Sequence, residues 1–200
     1  MMSVPQFDEV VLEGQAVNLE PVSHAHHDEL CAVVSDGELW KLFFTLVPGP
    51  EGIRGFIEKA IDDQRQGDGL TFVTRLRASH KIVGSTRFMK ANLSYRKVEI
   101  GYTFIAQSHQ RTCVNTEAKF LMLKYAFETL DLNRVEFLTD YFNHKSRNAI
   151  LRLGAKQEGI LRNHMVMPSG RIRDSVLFSI IKSEWNGVKE NLLYKLNYLN

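Results

Sequence analysis

The sequence predicts an α/β chain of the α+β type, with a mixed, mostly antiparallel sheet flanked by helices. Three observations carry that prediction. Successive strand patterns fill residues 70–105 with only short polar turns between them. Strand–loop–helix units follow at 97–130 and 134–153, so part of the sheet is joined by crossovers. Two further strand patterns then meet at the Pro168-Ser169-Gly170 turn. Strand runs mixed with βα units argue against a doubly wound parallel sheet.

Taken in order, residues 10–21 read as extended structure with a turn at Gly14-Gln15. Ser23 is placed to cap a helix reaching Asp36, with Leu30, Val33 and Val34 on its apolar stripe and Gly37 at its end. A second helix near Glu51 carries Ile53, Phe56, Ile57, Ala60 and Ile61 at helical spacing, and Gly67 and Gly69 stop it. Strands are expected at Leu70–Arg77, Lys81–Met89 and Lys97–Ile105, with turns at Ala78-Ser79-His80 and Asn92-Leu93-Ser94. In the third, alternation places Val98, Ile100, Tyr102 and Phe104 on one side and Glu99, Gly101 and Thr103 on the other. A polar loop over 107–114 opens into a helix from Asn115 to Leu130 that is apolar on two stripes, as expected of a buried helix. Arg134–Thr139 is a strand, Asn143 caps a helix ending at Gly154, and strands Lys156–Met167 and Ile172–Ile181 follow. The tail from Glu184 reads as a short amphipathic helix through Val188, Leu192 and Leu196.

With 200 residues and no repeat, linker or low-complexity tract, residues 1–200 are expected to form one domain. The net charge of +2 is too small to argue for nucleic acid or an anionic membrane surface. Cys31 and Cys113 lie in unrelated contexts, which suits a reducing compartment. Residues 1–13 hold Asp8, Glu9 and Glu13 and no apolar core of a signal peptide. Apolar runs fall short of the roughly 20 residues that span a bilayer. A cytoplasmic protein is expected.

The stretch 97–130 is the most informative chemically. The N–H groups at the start of a long buried helix, with the positive end of its dipole, suit a phosphate or diphosphate. Arg111 adds a guanidinium able to grip phosphate oxygens. Taken alone, the same features also fit a solvated loop arginine and a water-capped helix. Glu99 is either a carboxylate that takes a proton from an amine or an edge residue in a salt bridge. Asn143 and Ser146 open the helix at 143–153, where a simple cap explains Asn143 equally well. His24, His26 and His27 point in different directions at a helix start, so no metal is expected. Arg162, His164, Arg171 and Arg173 flank the last hairpin, where they either bind an anionic group or are merely solvated.

The stretches VEIGYTF (98–104), HQRTCVNTEAKFLMLKYAFETL (109–130), NRVEF (133–137), NHKSRNAILRLGAK (143–156) and EGILRNHMVMPSGRIRDSVLFSI (158–180) carry a resemblance. Together with IVGSTRF (82–88), they resemble the GCN5-related N-acetyltransferase (GNAT) superfamily, in particular its ribosomal-protein N-terminal acetyltransferase branch. The resemblance implies a V-shaped split between the strands at 97–105 and 134–139, with acetyl-CoA as co-substrate. It places Phe104, Ile105, Gln110, Arg111, Thr112, Cys113, Val114, Asn115, Thr116, Asn143 and Arg147 on the cofactor, a backbone N–H near Phe104 or Ile105 serving as oxyanion donor. Trp40, Phe43, Arg87 and Tyr102 fall on the acceptor side, and Glu99 matches the base of many relatives. Ile150 stands where many relatives carry a tyrosine acid, which makes Ser146 the candidate for that role. The chain departs from the family's loop, since Cys113 and Asn115 replace small residues that let the backbone approach phosphate.

The expected activity is acetyl transfer from acetyl-CoA to a primary amine, a peptide N-terminal α-amine by preference, by a monomer or homodimer. Acetylation of a small amine (polyamine, amino acid or aminoglycoside), a non-catalytic acyl-CoA-binding module and a partner-binding domain stay open as alternatives.

Overall fold

The computed structural model describes residues 9–92 and 94–199. Its strands are β1 (Leu12–Glu13), β2 (Val17–Pro21), β3 (Leu70–Leu76), β4 (Ile82–Asn92), β5 (Lys97–Ile105), β6 (Arg134–Asp140), β7 (Lys156–Val166) and β8 (Ile172–Ile181). The α-helices are α1 (His27–Ser35), α2 (Ile53–Arg65), α3 (Val114–Lys124), α4 (His144–Leu153) and α5 (Trp185–Leu199). Leu93, in the expected turn after β4, and residues 1–8 of the expected leaderless N-terminus lie outside the described residues.

The local signals explain the boundaries. Ser23 caps a short 3-10 turn that runs into α1, and Gly67, at φ +75°, ends the turn after α2. Asn143 Oδ1 accepts the Ser146 N–H at 3.0 Å, and Gly154 closes α4 in the left-handed region at φ +104°. The helix expected over 115–130 starts one residue earlier and widens into a π-helical turn at Tyr125–Thr129. The widened turn carries Phe127 onto Trp185, ring centroids 5.4 Å apart, which anchors α5.

The strands form one sheet in the order β1-β2-β3-β4-β5-β6-β8-β7. Every neighbouring pair is antiparallel except β5 and β6. Helices cover both faces. α3, α4 and α5 bury Ala118, Met122, Leu123, Leu153 and Leu192 against Leu19, Phe88, Val98 and Phe178. α1 and α2 bury Leu30, Val34, Ile53, Ile57 and Ala60 against Val73, Ile82 and Phe104. Each such apolar side chain contributes about 1.5–3 kcal/mol on burial, so the two layers hold the sheet from both sides.

The alternation expected along β5 is broken. Ser85 pairs with Phe104 but Arg87 pairs with Gly101, so Tyr102 and Thr103 together oppose Thr86. This is a β-bulge, and Tyr102 takes its left-handed conformation at φ +46°. One extra residue shifts the phase of the strand. Val98 and Ile100 face α3, but Phe104 turns to the α1–α2 side and Thr103 turns toward α3. Tyr102 and Phe104 therefore do not share the face of Val98, as the uninterrupted pattern predicted.

Candidate active site

β5 and β6 pair only at Lys97–Arg134, Val98–Val135 and Glu99–Glu136, and then separate. β5 continues to Ile105 and β6 to Asp140 without pairing each other, which opens a V-shaped split in the sheet. Because the two strands are parallel, their C-terminal ends lie at the same edge. Each feeds a helix, β5 into α3 and β6 into α4, so two helix N-termini flank the mouth of the split. A crevice outside the carboxyl ends of diverging strands is where open α/β sheets bind ligands.

The loop leading to α3 is fixed by its neighbours. Asp36, at the end of α1, accepts the Ser108 hydroxyl at 2.5 Å, and the Asp36 carbonyl accepts the Gln107 N–H at 3.0 Å. Gln110 Nε2 donates to the Ile105 carbonyl at 3.0 Å, which binds the loop to the end of β5. The backbone strain falls on Arg111, at φ +63°, whereas Cys113 is right-handed at φ −67°. The cysteine at a small-residue position therefore needs no left-handed backbone. Arg111 is exposed and makes no ion pair among the described residues. At the first turn of α3, Val114 is buried and its N–H reaches the Thr112 hydroxyl at 3.4 Å, while Asn115 Oδ1 and Thr116 Oγ1 are buried without hydrogen-bond partners. These orphaned polar atoms, with the N–H groups at the start of a helix, suit an anionic, hydrogen-bonding ligand.

On the β5 side of the split, the Ala106 N–H donates to the Val83 carbonyl at 2.9 Å. Antiparallel ladders alternate, so the neighbouring Ile105 N–H turns to the opposite edge, into the opening. On the β6 side, Arg147 donates to the Tyr141 carbonyl at 3.1 Å and lies over the Tyr141 ring at 5.0 Å. Ser146 is half-buried in the first turn of α4, and Ile150, one turn further on, is in the core.

Glu99 is buried, with 7% of its surface exposed. Its Oε2 accepts from Lys90 Nζ at 2.8 Å, so the salt-bridge reading holds for one oxygen. Oε1 faces Gly101, about 3.4 Å from where a Cβ there would sit. The space that the missing Gly101 side chain leaves is partly filled by Met89, whose sulfur lies 2.8 Å from the same point. Opposite Gly101, Arg87 bonds Asp63 of α2 at 3.0 Å and covers the Tyr102 ring at 4.5 Å. Arg87, Tyr102, Phe56, Lys59 and Leu46 line an open cleft of about 230 Å³. Phe43 is exposed near this side and packs against Phe44 and Phe142, whereas Trp40 is half-buried against the α1–α2 core.

Asp140, which the sequence reading did not single out, joins three residues of the last hairpin in this region. Asp140, fully buried at the end of β6, pairs with Arg171 and lies 3.8 Å from Arg173 Nε. Arg171 also sits over Phe43 at 5.3 Å. Burial pushes the Arg173 guanidinium down from its ordinary value, and it feels the charges of Asp140, Arg171 and Glu99. His164 hydrogen-bonds Ser175 at 3.0 Å, and burial with the nearby Lys90 and Arg173 lowers its pKa. Arg171 and Arg173 are thus not simply a solvated hairpin. Their partner lies more than thirty residues upstream, so no local spacing signals the pairing.

Lys119 of α3 lies beneath the bulge. Its Nζ bonds Thr86 Oγ1 at 2.6 Å and Thr103 Oγ1 at 2.8 Å, and burial drops the amine from 10.5 to about 7. Nearby Glu117 accepts the N–H groups of Gln15, Ala16 and Val17, each at 2.7 Å, which ties α3 to the β1–β2 turn. Among the described residues, no group of three or more His, Cys, Asp or Glu is placed to hold a metal. No helix among them is long and apolar enough to cross a membrane.

Known proteins share this arrangement. The Bacillus subtilis protein YdaF, provisionally named a ribosomal N-acetyltransferase, is 39% identical over 94 residues, 47% of this chain and 50% of its own length. The chain thus spans about half the length of that relative. The structure of a GCN5-related N-acetyltransferase from Brucella melitensis matches with a TM-score of 0.85 and 32% identity, covering 96% of this chain and 87% of that one. Mycobacterium smegmatis RimJ, solved in complex with CoA-disulfide, shares the fold at a TM-score of 0.77 and 20% identity, over 94% of this chain and 92% of its own. Residues 16–156 match the model of the acetyltransferase (GNAT) domain family, so with the split sheet and its two helix starts, the chain belongs to the GNAT N-acetyltransferases.

Proposed function

We propose that the chain transfers an acetyl group from acetyl-CoA to a primary amine, the α-amine of a peptide N-terminus. The observation that carries this reading is the split beyond Glu99 and Glu136, with the α3 and α4 N-termini at its mouth. The solved RimJ complex with CoA-disulfide and the name given to YdaF support the choice of donor and acceptor.

Acetyl-CoA supplies an activated acyl thioester. The N–H groups of residues 113–116, with Gln110, Arg111, Thr112 and the orphaned Thr116 hydroxyl, would hold its diphosphate. Phe104 and Ile105 form the β5 edge of the split, where the Ile105 N–H stabilises negative charge developing on a carbonyl oxygen. Asn143 and Arg147 border the opposite edge. Phe43, Arg87, Tyr102 and, from behind, Trp40 shape the acceptor side.

The amine must lose a proton before it attacks, and Glu99 Oε1 is the buried acceptor on that side. A peptide α-amine, at about 7.7–8.0, deprotonates more readily than a lysine at about 10.4. Ser146 is the hydroxyl available to the departing thiolate, which at about 8.5 leaves without a strong acid.

The test is release of free thiol from acetyl-CoA in the presence of a peptide with a free N-terminus. Glu99→Gln is expected to lower kcat by roughly 10²- to 10⁴-fold while acetyl-CoA still raises the melting temperature. Unchanged kcat in that variant removes Glu99 as the base. No thiol release and no thermal shift with acetyl-CoA would refute acyl transfer itself.

A further inference from the structure

The acceptor side carries more positive charge than its own carboxylates neutralise. Asp63 is shared by Arg87 and Lys59, Glu99 pairs with Lys90, and Asp140 is shared by Arg171 and Arg173. Five cations thus face three carboxylates. The guanidinium groups are not saturated either. The Nε atoms of Arg87, Arg171 and Arg173 are buried without hydrogen-bond partners, and Arg87 and Arg173 expose only 8% and 7% of their surface. Guanidinium groups held around shared carboxylates leave positive charge uncompensated, which an anionic ligand would offset.

These groups are contiguous with the proposed reacting centre. Arg87 covers the ring of Tyr102, and Arg173 feels the charge of Glu99. Arg171 extends the cluster outward to Phe43, donating weakly to its carbonyl at 3.4 Å. The aromatic rings of Phe43 and Phe142 lie against this guanidinium at 5.3 and 6.0 Å.

We infer that Arg171 and Arg173, backed by Arg87, form a carboxylate-recognition site, so that the preferred acceptor is an amine with a carboxylate close to it. The inference rests on the acyl-transfer reading and narrows its substrate class. The carboxylate is supplied either by an acidic side chain just after a peptide N-terminus or by the free carboxylate of a small amino acid. Polycationic acceptors are the class that this surplus repels.

The test compares peptides that share a first residue and differ only in the next two, acidic, amide or basic, with free glutamate and its amide as the small-molecule arm. Thiol release is read for each at low and high salt. The expected order of kcat/KM is acidic, then amide, then basic, with a spread that shrinks as salt screens the charges. Arg171→Gln is expected to lower kcat/KM for the acidic acceptor by on the order of 10- to 100-fold, mostly through KM, with Arg171→Lys recovering part of it. Asp140 keeps the Phe142 N–H at 2.9 Å and Arg173 in that variant, so its burial is not left unpaired. Faster turnover of glutamate than of the acidic peptides assigns the site to a small amino acid, and the reverse assigns it to a peptide.

Equal rates across the three peptides, faster turnover of the basic one, or a raised KM for acetyl-CoA in Arg171→Gln would overturn the inference. If no acceptor releases thiol, the acyl-transfer reading fails separately. Calorimetric titration with the acidic and amide peptides then decides the carboxylate site by itself: equal or absent binding overturns it, and tighter binding of the acidic peptide upholds it.

Discussion

Replacing Lys119 by Met is predicted to stabilise the protein, and to do so in a pH-dependent way. Lys119 is 4% exposed and has two threonine hydroxyls but no carboxylate as partners. Burial lowers the amine from 10.5 to about 7. For a base whose folded pKa is depressed, the unfolded chain binds the extra proton between those two values. Stability therefore rises with pH from about 7 to 10.5, by about 1.4 kcal/mol per unit. Relative to a side chain that never titrates, Lys119 costs about 2 kcal/mol at pH 9 and about 3 at pH 8, levelling near about 5 below pH 7. Its two hydrogen bonds return about 1 kcal/mol each. Lys119→Met keeps a chain of similar length and leaves Thr86 and Thr103 bonded to each other at 2.9 Å. The variant should match the parent near pH 9, exceed it by about 1 kcal/mol at pH 8, and exceed it by about 3 below pH 7. Urea unfolding at pH 6 to 9 measures this. Parallel stability curves for parent and variant would show that Lys119 stays charged in the folded protein and refute the reasoning.

Two more substitutions probe other parts of the structure. Glu117→Gln places an amide group against three backbone donors at 2.7 Å, and a loss of about 2–3 kcal/mol is expected, seen as a melting temperature lowered by roughly 5–10 °C. An unchanged melting temperature would show that the β1–β2 turn does not depend on this carboxylate. Arg111→Gln removes an exposed cation beside the α3 start, and KM for acetyl-CoA should rise about tenfold with kcat little changed. A fall in kcat with constant KM would place Arg111 in the chemistry instead.

Much of the fold was legible because its signals are local. The Asn143 cap and Gly154 stop bracket α4, and the bounds of β5 and β8 follow the polar turns around them. The bulge at Tyr102 and Thr103 was not legible, because it is a mismatch between β5 and β4 that appears only once the strands are in register. That mismatch moved Phe104 to the opposite face. Lys119 reads in sequence as one polar residue on an apolar helix, and its burial depends on hydroxyls from two strands. The pairing of Arg171 with Asp140 joins residues on separate elements, so the sequence left the hairpin open between anion binding and simple solvation. Gln110 was expected at the cofactor but also closes the Ile105 carbonyl, a task set by the loop's path.

The account depends on a diphosphate being held at the start of α3, and calorimetric titration with donors of decreasing length tests that most directly. Acetyl-CoA should bind to the parent, and acetyl-pantetheine, which lacks the diphosphate, should bind at least roughly 100-fold more weakly, the worth of about two charge-assisted contacts. Equal affinity for the two, or no binding of acetyl-CoA at millimolar concentration, would contradict it.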